Sequence, residues 1–165
     1  MTNVKTVYDM ALTTIQDYRL ERTNQEALLE FLRGKLISGI PEFSGCLDSL
    51  EIHKEDVTTV DENGNSNTQE EWLFSRDLSQ DEISILAKII VYKWFLQQHQ
   101  DVRILMPHLT IKEFKQTDIS NGLKQRSEYL DKLKEDINFD ITQYQLKNLS
   151  KLKFFGGNGT VEQNL

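Results

Sequence analysis

The sequence predicts a mainly α-helical fold, a compact helical bundle interrupted by an acidic loop or short β-hairpin excursion and followed by a flexible C-terminal extension. Three observations lead there. Apolar residues recur at helical spacing along most of the chain. Ser79-Gln80-Asp81-Glu82 reads as a helix start with Ser79 as N-cap and Glu82 placed for a capping box. Between these helical stretches, residues 42–78 lose the period and carry the turn signal Asp61-Glu62-Asn63-Gly64-Asn65.

Taken in order, Val4, Val7, Tyr8, Ala11, Leu12 and Ile15 mark a first helix ending near Asp17 or Tyr18. A second runs over about 24–38, with Asn24 as N-cap and Ala27, Leu28, Phe31 and Leu32 as its apolar stripe. Gly34 weakens it locally, and Gly39 and Pro41 stop it. In the excursion, Leu50 and Ile52, then Val57 and Thr59, alternate as short strands do. Trp72, Leu73 and Phe74 anchor its far side. It reads as an acidic surface loop, or as a hairpin reaching a neighbouring subunit.

The helix after Ser79, over about 80–98, is apolar on more than one side, so it is either the central core helix or a core helix whose flank meets another subunit. A break near 97–100 precedes a short extension to Met106, and Pro107 ends it. A helix over 121–138, capped by Asp118 or Ser120, is followed by a last one that Asp140 caps and that runs to about Lys153. Three glycines within Gly156-Gly157-Asn158-Gly159 then remove helix propensity. The expected organisation is a single helical domain over 1–153, with the excursion at about 42–78, and a flexible docking tail over 154–165.

At 165 residues the chain is long enough to bury a core without metals or disulfides. Cys46 is the sole cysteine, which excludes an intrachain disulfide and a thiolate cluster. No signal peptide is readable, and the longest apolar run, 83–96, is too short and too charged to span a bilayer. The net charge of −7 is uneven: residues 42–82 hold 12 carboxylates against Lys54 and Arg76. That segment argues against capture of a duplex, but not against a surface past which nucleic acid slides.

No chemistry is assembled by the motifs. His53, His99 and His108 form no ligand pattern and read as surface or helix-end residues. Asp81 and Glu82 are explained by a helix N-terminus, and no isolated buried carboxylate is signposted. The Asp61, Asn63, Asn65 spacing fails as a calcium loop at Ser66 and Trp72. No catalytic, cofactor-binding or metal-binding residue is expected, and no enzymatic activity. The aromatics carry more. Trp94 and Phe95 point about 100° apart, so both are buried only if the helix is enclosed on two sides, by its own core or by a neighbour. Tyr92, Trp94 and Phe95 are therefore candidate interface residues, as are Phe154, Phe155, Gly156 and Gly157 at the tail.

Residues 4–12 (VKTVYDMAL), 78–87 (LSQDEISILA), 92–96 (YKWFL) and 114–120 (FKQTDIS) resemble the small head-to-tail connector, or neck, proteins of tailed bacteriophages infecting Gram-positive bacteria. That resemblance implies a virion structural protein, assembled in the host cytoplasm. It implies a homo-oligomeric ring, often twelvefold, that joins the head or portal protein to neighbouring neck or tail proteins and continues the DNA channel. Glu51, Glu55, Asp56, Asp61, Glu62, Glu70 and Glu71 are then candidates for a channel or inter-ring loop, close to double-stranded DNA without gripping it. A tail-completion or tail-terminator protein is the alternative within that class, and a helical adaptor outside the virion is the alternative beyond it.

Overall fold

The computed structural model describes residues 1–15, 20, 23–60, 66–105 and 116–148. Helix α1, Val4–Thr14, begins where the Asn3 side-chain oxygen accepts from the Lys5 amide at 2.9 Å. Val4, Val7, Tyr8 and Ala11 make its buried stripe, as the spacing requires. It ends before 17 or 18, with Ile15 already extended; Thr13 and Thr14 are β-branched, and the Thr13 hydroxyl donates back to the Met10 carbonyl.

Helix α2, Gln25–Gly39, is capped by Asn24, whose side chain accepts from the Glu26 amide. Its buried stripe is Leu32, Leu36 and Gly39, with Leu28 and Phe31 half-buried and Ala27 exposed, so the core-facing side is turned toward the later residues of the helix. Gly39 is right-handed, with φ −94°, not a left-handed cap. It is small because α3 crosses there: a Cβ at Gly39 would sit 2.3 Å from Ile89 Cγ2. A 3-10 turn, Ile40–Phe43, follows, with Pro41 in its first turn, and drives the Phe43 ring into the core.

The excursion is a hairpin. Strand β1, Ile52–Val60, pairs antiparallel with β2, Ser66–Phe74, in the register Ile52↔Phe74 to Val60↔Ser66. The expected type I′ turn at Asn63-Gly64 lies outside the described residues. An isolated two-stranded hairpin is marginal in water, and here the base is tied down: Phe74 and Leu73 are buried, Asn3 bridges to Leu73, and the Phe74 amide donates to the Thr2 carbonyl at 2.9 Å.

Helix α3, Gln80–Leu105, runs unbroken for 26 residues, about 39 Å at 1.5 Å per residue. The break expected near 97–100 is absent. Gln97 to Gln100 are polar because the helix is leaving the core there, and polarity alone does not interrupt the hydrogen-bond ladder. Helix α4, Gln116–Lys147, likewise replaces the two helices expected over 121–138 and 140–153. Asp140 is not a cap; it pairs with Lys88 of α3, while Leu130, Ile137 and Tyr144 keep one buried line across the supposed boundary.

Helix α3 is the centre, and α1, α2 and α4 all pack on it. Its Asp81, Lys88 and Phe95 meet α4, through Lys147, Asp140 and Tyr129. Its Ile89, Lys93 and Gln97 meet α2 and the turn after it, through Gly39, Glu42 and Lys35. The two sets lie about 140° apart around the helix at 100° per residue. Helices α2 and α4 therefore occupy opposite flanks of α3.

Two glycines of α2 should respond oppositely to the same change. Gly34 is exposed with nothing within 4 Å of a would-be Cβ, so Gly34→Ala should stabilise by about 0.5–1 kcal/mol. Gly39→Ala forces the buried Ile89 to move and should cost about 1–3 kcal/mol. Urea unfolding of both variants reads the two signs.

Candidate functional site

Local sequence builds a concentrated polar cluster from a capping box. The Ser79 hydroxyl accepts from the Glu82 amide at 3.3 Å, and the Glu82 carboxylate accepts from the Ser79 amide at 2.7 Å, so the two ends of the first turn satisfy each other. Glu82 does not stay at the surface as such residues usually do. It is 3 % exposed, and its carboxylate gathers three distant segments. Arg76 donates to both oxygens, at 2.6 and 3.0 Å, and the Tyr144 hydroxyl of α4 donates at 2.7 Å. The Cys46 thiol lies at 3.5 Å. Arg76 also donates to the carbonyls of Ser49 and Asp77, which fixes the loop into β1 against the start of α3.

The electrostatics follow from this geometry. Burial pushes the Glu82 carboxyl up, but the Arg76, Tyr144 and Ser79 hydrogen bonds outweigh it and bring the group down to about 2. Arg76 is held above its ordinary range, mainly by its hydrogen bonds to Glu82. Burial, reinforced by donation to Glu82, raises the Tyr144 phenol, and burial together with the neighbouring Glu82 charge raises the Cys46 thiol. A carboxylate that accepts from four donors and a thiol held protonated are poor bases and nucleophiles. Chemically, this cluster is a clasp between loop, α3 and α4.

Sequence reasoning saw the capping box but not the buried carboxylate, whose partner Tyr144 is 62 residues away in the chain. The aromatic candidates divide. Tyr92 and Trp94 are buried by their own chain, so the flank of α3 that offered them to a neighbour is covered within the subunit. Phe95 is half-buried, with the Trp94 and Tyr129 rings edge-on at 4.6 and 5.0 Å. Phe154, Phe155, Gly156 and Gly157 lie outside the described residues. So do Asp61 and Glu62.

The remaining acidic candidates are brought together on the hairpin. Glu55 stands opposite Glu71, and Asp56 opposite Glu70, so like charges face each other on both sides of the ribbon. Glu70 is relieved by Lys54 at 2.6 Å, whose hydrogen bond holds its carboxyl below the ordinary range; Glu71 accepts from Asn3 at 2.6 Å. Glu51 is exposed at the hairpin entry. His53 sits beside Ser75 and Glu55, His99 is half-buried on α3, and His108 lies outside the described residues. Among the described residues no three His, Cys, Asp or Glu side chains are placed to hold a metal ion, and no helix is long and apolar enough to cross a membrane.

Two further features were not read from the sequence. A cleft of about 430 Å³ opens between α1, α2 and the hairpin, with Trp72, Tyr8, Val4 and Leu29 among its lining residues. Arg33 and Lys54 sit over the Trp72 ring, 4.5 and 5.5 Å from its centre. On α4, Phe139 and Leu146 are 63 % and 52 % exposed. They are seven residues apart and about 180° from the buried line of Leu130, Ile137 and Tyr144. That phase was legible in the sequence once α4 is read as one helix.

Protein-family models, curated proteins and solved structures give no match to this chain.

The clasp has a defined pH signature. Because the folded carboxyl titrates near 2 and an unfolded one near 4.5, its contribution is full above 4.5 and is lost as pH falls toward 2. Glu82→Gln should cost about 3 kcal/mol at neutral pH, since it leaves Arg76 without its countercharge. The gap between wild type and variant in urea unfolding should narrow across that acidic window.

Proposed function

We propose that this chain is a structural subunit that forms a homo-oligomeric ring in a bacteriophage virion, connecting the head or portal to the tail around the DNA channel. The observation that supports assembly most is the second apolar line of α4. One side of the helix is spent on the subunit's own core; Phe139 and Leu146 face away from it and gain only by meeting another surface. Ile37 of α2 and Ile104 at the end of α3 are also more than half exposed, on elements of the opposite flank and the far end. Apolar side chains on two different flanks suit a heterologous contact, which closes into a ring when the rotation between copies allows.

The hairpin supports the channel part of the reading. Facing carboxylates on both its sides weaken strand pairing; Lys54 and Asn3 offset this at Glu70 and Glu71, which leaves Glu55 and Asp56 as charges that strand pairing does not call for. A ring of such ribbons, with Glu51, Asp61 and Glu62 added from the sequence, repels phosphates and lets a duplex pass. The portal and the neighbouring neck or tail proteins are the partners, and assembly takes place in the host cytoplasm. The chemistry this asks of the subunit is binding, not catalysis.

Native mass spectrometry and sedimentation of the purified chain, with and without a portal ring, test the proposal. The chain should form closed rings, alone or on the portal. Phe139→Lys with Leu146→Lys should weaken that association by at least about 30-fold, the scale of a single interface hot spot, while leaving the unfolding midpoint nearly unchanged. A chain that stays monomeric under both conditions, or rings indifferent to the double variant, contradicts the proposal.

A further inference from the structure

We draw no further inference here: the strongest candidate, the outer face of α2 where Ile37 is exposed and Gly34 lies open beside it, is an unpartnered helix face, and nothing in the structure shows what covers it.

Discussion

The buried Glu82 carboxylate is the constraint on which the rest of the fold depends. A charge removed from water is tolerated only where donors surround it, and here each donor comes from a different piece of the chain. Ser79 brings the first turn of α3, Arg76 the end of the hairpin, and Tyr144 the later half of α4. Arg76 extends the set to the Ser49 carbonyl, so the hairpin leaves and re-enters the bundle at one point. With that point fixed, Phe43 meets the Tyr144 ring edge-on at 5.3 Å, and the 3-10 turn, α3 and α4 close on one another. Apolar burial supplies most of the driving force. The clasp decides which of many oily contacts is made.

That closure bears on where the proposed assembly surfaces can lie. A central helix that is apolar all round had two explanations, and its own chain covers nearly all of it: Ile83, Ile85, Leu86, Ile89, Ile90, Val91, Tyr92 and Trp94 are buried within the subunit. An argument for partners that began from the flank of α3 loses that footing. Among the described residues, what remains uncovered lies on the outer elements, above all the back of α4. The separation has a physical sense. A core helix that also formed the interface would tie folding of the subunit to assembly, whereas a complete core with apolar residues set on outer faces lets a stable subunit form first and join later.

Much of this was legible in the residues, and what was not shares one cause. The apolar spacing of α1 from Val4, the Asn24 cap and the Ser79 box are local patterns, and local patterns report local structure. Alternation at Ile52 and again around Val57, with a turn signal beyond, left loop and hairpin both open; the register that settles it is held by contacts to Thr2 and Asn3, about 70 residues away. Asn138 and Asp140 imitate a helix boundary because their capping tendency is local, while the line Leu130, Ile137, Tyr144 that overrides it depends on α3. Glu82 was seen as a cap and missed as a hub for the same reason: nothing within a few residues announces that Tyr144 and Cys46 will enclose it. Gly39 does end α2, as read, but with right-handed backbone, and the close crossing with Ile89 that keeps it small is not a local pattern.

A chain closed by its own clasp and, on the proposed reading, joined to others through its outer flanks should change its backbone protection at particular places on assembly. Hydrogen–deuterium exchange, followed as the chain goes from dilute subunit to assembled ring, reads it most directly. Amides of α4 around 132–147 should slow on assembly, while those of α3 over 83–94 are already protected and stay as they are. Slowing confined to α3, with α4 unchanged, would show that the central helix is the shared surface and that the subunit is not complete alone.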